Sequence, residues 1–129
     1  MLNLYGNGVN LNQRTLDYLW GRQNVTINNI ANVDTPGYKS QFITFENVLG
    51  RNIRAAQLKS ATGKGVENAI RSSHATVHTT RNESTRLDGN NVDMDQEQIE
   101  LVKTTYQYQL TVQSINNDFS HLKESVATF

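Results

Sequence analysis

Pro36 is the only proline in the 129-residue chain, and a glycine follows it. An apolar helical pattern runs into Asn28–Lys39 and stops there. Thr35-Pro36-Gly37-Tyr38 has the chemistry of a type II turn. Pro36 pre-sets φ at the second position, and Gly37 can take the positive φ that the third requires. Thr35, before the proline, is pushed away from helical φ/ψ. Asn32 and Asp34 can bond their own backbone and help to end the helix. Any fold of this chain must therefore place a rigid corner at the end of its first long amphipathic segment.

The strongest periodic signal lies at the other end. Stepping alternately by four and three from Met94 gives Gln98, Leu101, Thr105, Tyr108, Val112, Ile115, Phe119, Leu122, Val126 and Phe129, nearly all apolar or aromatic. That is a heptad stripe sustained along the whole C-terminal segment. Asp93 with Gln96 fits a capping box variant, and Asp93, Asp95 and Glu97 put negative charge where a helix N-terminus is partially positive. Asp88-Gly89-Asn90-Asn91 just before reads as a turn.

The N-terminal segment repeats the stripe through Val9, Gln13, Leu16, Trp20, Gln23, Ile27 and Ile30, with Leu19 widening it. It predicts a helix over about residues 9–32, weakened by mediocre helix formers such as Asn24 and Asn28. Between the two segments, Phe42–Leu49 suits a strand or a short helix. Residues 50–91 are polar, without an aromatic from Glu46 to Thr105, and predict a flexible middle with room for a small β-hairpin. Ala75–Thr79 is its best strand candidate.

The expected fold is mainly α. Residues 1–40 hold the first helix and the corner, 41–87 the middle, and 88–129 the C-terminal heptad helix. Both terminal helices carry a single stripe and need a partner. The first partner is the other terminus, packed as a coiled-coil-like pair. Hydrophobic residues make up 36% of the chain and mean hydropathy is −0.58, so completing a core is expected to need neighbouring copies or homologues.

Cysteine is absent, which removes disulfides and thiolate metal sites. No apolar run reaches the length of a membrane span. The first residues lack the basic and apolar regions of a cleaved secretory signal, so a route out of the cytoplasm would be a different one. Net charge is zero but uneven: residues 51–86 carry a balance of +5 and residues 87–129 a balance of −5. Solvated surface is the plainer account, and complementarity between copies or between segments of one copy is the sharper one.

The motifs that carry chemistry fail one by one. Gly63-Lys64-Gly65 has Leu58 where a phosphate loop needs its first glycine, and Gly65 where it needs a hydroxyl. Asp88–Asp93 places glycine at the second position of a would-be calcium loop, where the sixth is required. His74 and His78 have zinc-compatible spacing on a helix, but lack a third ligand nearby. The basic residues of the middle are dispersed and not interleaved with aromatics, which argues against nucleic acid. His121 sits near Asp118 and Glu124 at helical spacing, as in surface ion pairs. No catalytic, cofactor or metal residues are predicted.

Asn29-Ile30-Ala31-Asn32-Val33-Asp34-Thr35-Pro36-Gly37-Tyr38-Lys39 closely resembles the N-terminal signature of bacterial flagellar rod and hook proteins. Asp88-Gly89-Asn90-Asn91-Val92-Asp93-Met94-Asp95-Gln96-Glu97 resembles the segment that opens the last helix in the proximal-rod member of that family, whose length also fits. The motif residues are thus Asn29, Ala31, Asn32, Thr35, Pro36, Gly37, Tyr38, Asp88, Gly89, Asn90, Val92 and Asp93. The resemblance implies a structural subunit of the basal-body rod, not an enzyme, located where the rod crosses the periplasm and cell wall. It implies partners in other copies, other rod proteins, the basal-body base and the flagellar type III export apparatus, with no membrane insertion. Phe45 and Leu49 fit the loose Phe-x-x-x-apolar pattern associated with export-gate recognition in such substrates. Leu101, Tyr108, Val112, Ile115, Phe119 and Leu122 are expected to face the N-terminal helix or adjacent subunits, answered by Leu16, Trp20, Ile27 and Ile30. Two rival classes remain: a free-standing adaptor that binds a partner helix with its stripes, and a cell-wall hydrolase with paired carboxylates in a cleft.

Overall fold

The computed structural model describes residues 2–59, 63–84 and 86–127. Its elements run α1 (Leu2–Ala31), β1 (Gln41–Thr44), α2 (Glu46–Lys59), α3 (Gly63–Ser72), β2 (Thr76–Thr79) and α4 (Met94–Ala127). At 1.5 Å per residue α1 spans roughly 45 Å and α4 roughly 51 Å. Asn12 bonds Asp118, Gln23 bonds Thr105, and Asn29 bonds Glu97. One index rises as the other falls, so the two long helices pair antiparallel.

Local chemistry accounts for the helix ends. Asp93 Oδ1 accepts from the backbone N–H groups of Asp95 and Gln96 at 3.1 and 3.2 Å, which makes Asp93 the N-cap of α4. At the C-terminus of α1, Gly37 adopts φ +72°, and Tyr38 N–H donates to the Thr35 carbonyl at 3.3 Å. This is the turn its sequence demands. The helix α1 begins at Leu2, well before residue 9. Gly6 and Gly8 are therefore helical despite their poor propensity.

The middle is more ordered than its composition suggests. Residues 46–59 and 63–72 form two helices that pack on each other, and α3 also packs on α1. Their apolar residues are few, and the inward ones carry the packing, as with Ala69 and Ile70 of α3, both buried. The two strands pair antiparallel with Phe42 opposite His78 and Ile43 opposite Val77. This is the small β element expected in the middle, and the helices α2 and α3 form the connection between its strands.

The hydrophobic core is small. Tyr18 and Leu19 of α1 and Phe45, which precedes α2, are buried, with Ile43 and Leu49 packed against them. The Tyr18 and Phe45 rings stack with centroids 5.3 Å apart. Gly21 lets β1 approach α1, since a Cβ there would lie 3.1 Å from Ile43 Cδ1. The largest fully buried side chains are polar: Asn29, Asn90, Thr104 and Ser73. Two of these belong to the corner and to the segment that opens α4.

Candidate assembly junction

The end of α1 leaves backbone carbonyls without helical partners. Asn90, fully buried, supplies the donors. Its Nδ2 donates to the carbonyls of Asn32, Val33 and Thr35 at 2.8, 2.9 and 2.9 Å. Its Oδ1 accepts from Val92 N–H at 2.8 Å, which fixes the chain just before α4. One side chain thus ties the C-terminus of the first helix to the N-terminus of the last.

Backbone contacts lock the same place. Gly37 N–H donates to the Asp88 carbonyl at 2.8 Å, and Asn91 N–H to the Tyr38 carbonyl at 3.3 Å. Gly89, like Gly37, has positive φ, at +77°. A Cβ on Gly89 would stand 3.7 Å from Gly37 Cα, so the two glycine turns face each other closely. Lys39 Nζ reaches the Gly89 carbonyl at 2.7 Å. Arg86 donates to the Val33 carbonyl at 2.8 Å and pairs with Asp88 at 3.1 Å.

Asn29 performs the second splice. It is 1% exposed. Its amide bonds both backbone groups of Gln41, donating to the carbonyl at 2.7 Å and accepting from the N–H at 2.9 Å. An α1 side chain thereby acts as a neighbouring strand for the first residue of β1. Tyr38 Oη also donates to Asn29 Oδ1, at 3.2 Å, and accepts from Asn28. Asn29 Nδ2 reaches Glu97 Oε1 of α4 at 3.0 Å. Burial raises the Glu97 carboxyl above its ordinary range, and the Asn29 hydrogen bond partly offsets this. Burial also raises the Tyr38 hydroxyl, with the Glu97 charge adding to the effect.

A polar cleft of about 520 Å³ beside the junction is lined by Arg22, Thr26, Gln41, Glu97 and Glu100 among others. Two of its carboxylates, Glu97 and Glu100, hold α4 to α1. Glu100 pairs with Arg22 of α1 and with Lys103, and Glu97 with Asn29. Among the described residues, no group of three His, Asp or Glu side chains gathers as a metal site. His78 bonds Thr44 across the sheet, and His74 bonds the Ser72 carbonyl. No helix of the described residues is long and apolar enough to cross a membrane.

The motif residues of the two segments come together here. Asn29, Asn32, Thr35, Gly37, Tyr38, Asp88, Gly89, Asn90, Val92 and Asp93 all take part in the junction or its caps, while Ala31 and Pro36 lie exposed at its edge. The stripe residues divide. Leu16, Ile30, Leu101, Val112, Ile115 and Leu122 are half-buried. Trp20, Ile27, Tyr108 and Phe119 are 62, 48, 37 and 54% exposed. Trp20 lies two residues past buried Tyr18, about 200° around the helix. The α1 stripe therefore points away from the small core, which Tyr18 and Leu19 occupy. Phe45 is buried and Leu49 partly so. Phe129, the last stripe position, lies outside the described residues. Arg86, Lys39 and Asn91 were not anticipated; the signal for them was the set of carbonyls that a helix stop leaves needing donors.

The fold and the junction define a mainly α protein in which the corner that ends one long helix is spliced to the cap that opens the other. The model of a family described as flagella basal body rod protein matches residues 21–39, the end of α1 and the corner. The flagellar basal body rod protein FlgB of Bacillus subtilis (strain 168) is 33% identical over 102 residues, 79% of each chain. That of Borrelia hermsii is 36% identical over 118 residues, 84% of this chain and 87% of its own. That of Escherichia coli (strain K12) is 29% identical over 124 residues, 90% of each. The chain belongs to the FlgB family of flagellar basal body rod proteins.

Proposed function

We propose that this protein is a structural subunit of the bacterial flagellar basal-body rod, a building block and not a catalyst. The reading places it in the basal body, at the proximal end of the rod, in contact with other copies and other rod proteins. The observation that carries it is the outward apolar stripe. Trp20, Ile27 and Phe119 stay about half exposed or more on the two long helices. Such a stripe is costly for a lone soluble domain and useful for a subunit that finishes its burial on neighbours. The polar junction complements it by fixing the angle between corner and cap before assembly.

The same reading includes export as an unfolded chain through the flagellar type III apparatus. If Phe45 and Leu49 act as a recognition element there, they do so before folding, because Phe45 is 3% exposed in the folded chain. Deleting the gene in its own host and isolating basal bodies tests the reading. Loss of motility with truncated, rodless basal bodies, restored by the intact gene, is the expected result. A deletion strain with complete rods would overturn it.

A further inference from the structure

The charge imbalance of the chain is not discharged within one copy. Among the described residues the only ion pair joining the basic middle to the acidic last third is Arg86 with its near neighbour Asp88. Arg51 and Arg54 of α2 and Asp95 of α4 enter no ion pair among the described residues. Helical spacing aligns the free groups. Arg51, Arg54, Ala55 and Leu58 follow i, i+3, i+4, i+7 on α2, and all four are exposed, Leu58 at 89%.

The α4 helix carries a matching outer face. Asp95, Ile99, Val102, Tyr106 and Leu110 also lie on one side of it, and the four large apolar residues are 56 to 67% exposed. Glu97, Glu100 and Thr104, which meet α1 or are buried, lie on other sides of that helix. So α4 is apolar on two faces, one toward α1 and one toward solvent. On each outer face charge precedes apolar side chains by one helical turn: Arg54 by Leu58, Asp95 by Ile99.

We infer that the outer face of α4 receives the α2 face of a second copy, with Arg51 and Arg54 set against Asp95 and Leu58 against Ile99 and Val102. The contact joins two different surfaces, so it is heterologous and leaves each copy with a free face to pass to the next. The inference deepens the rod reading by naming which faces meet. A single helix-on-helix contact is small, so it acts when copies are concentrated or already seated in an assembly.

Charge reversal tests it on the full-length chain. Arg51→Glu/Arg54→Glu and Asp95→Lys each leave like charges opposed in self-contact, whereas a mixture of the two variants restores opposite charges at every contact. Sedimentation at low salt and the highest soluble concentration is expected to show concentration-dependent association for the wild type. Each variant alone should lose it by at least tenfold, and the equimolar mixture should regain it. Far-UV circular dichroism checks that both variants keep wild-type helicity. A monomeric wild type, or variants that associate as the wild type does, would overturn the contact. So would a mixture that fails to recover. Motility of a deletion strain carrying the wild-type gene reads the rod assignment separately, so failure of one leaves the other standing.

Discussion

The Asn90 side-chain amide and the Val33 carbonyl meet at 2.9 Å across 57 residues of sequence. Neither belongs to a helix, yet the bond joins the end of α1 to the start of α4. Removing it should cost more than an ordinary hydrogen bond. Asn90→Leu keeps the bulk, removes one donor from each of three carbonyls that keep a second one, and strips the acceptor from the N–H of buried Val92. Orphaning the buried Val92 N–H costs about 1–3 kcal/mol, and three further hydrogen bonds are lost with it, so the variant should lose at least about 2 kcal/mol. Chemical denaturation measures it, and a loss below about 1 kcal/mol would show that the amide does not tie the helices.

Gly37 tests the corner. At φ +72° a branched side chain is strained by about 1–2 kcal/mol. Gly37→Val should lower the denaturation midpoint accordingly, while Gly37→Asn, which tolerates the left-handed region, should be milder. Equal stability of the valine and asparagine variants would contradict the turn assignment.

Glu97 sets a pH dependence. Its folded carboxyl is raised above the ordinary 4.5 by burial, so the folded state holds the proton more tightly than the unfolded chain. Stability at this group is greatest below 4.5 and declines as pH rises through the folded value. Glu97→Gln keeps an acceptor for Asn29 Nδ2 and removes the charge. It should be as stable as the wild type or more so at neutral pH, and the gap should close on acidification toward pH 4. Melting temperatures of both proteins across that range check this; a glutamine variant that is less stable at neutral pH than at pH 4, relative to the wild type, would reverse the sign.

Phe45→Ala removes a side chain that is 3% exposed and stacked on Tyr18. It should cost about 3–5 kcal/mol, enough to leave a small domain largely unfolded. Retention of a cooperative melt near the wild-type midpoint would show that the Tyr18–Leu19–Phe45 cluster is not the core.

What could be read in the sequence followed range of interaction. Turn and cap were legible, because Thr35-Pro36-Gly37-Tyr38 and Asp93 act on neighbours a few residues away. The long helices were legible from their stripes. Which side of α1 turns inward was not: the heptad steps select Trp20 and Ile27, whereas Phe45 and Ile43 draw in Tyr18 and Leu19. The helices α2 and α3 escaped notice because their polar sequences hold only when packed on each other and on α1. The two motif segments were recognised separately. That Asn29 and Asn90 bring them into one junction depends on contacts tens of residues apart, which turn propensity alone does not reveal.

Neighbours in the rod are proposed to complete the stripe. Phe119 is 54% exposed in the free chain, so Phe119→Asp should leave the monomer close to wild-type stability and bury an unpaired charge only on assembly. The decisive measurement is the amount of this variant in basal bodies purified from a strain that carries no other copy of the gene. The variant should be absent from them, although it is produced and folds. Incorporation at the wild-type level would contradict this.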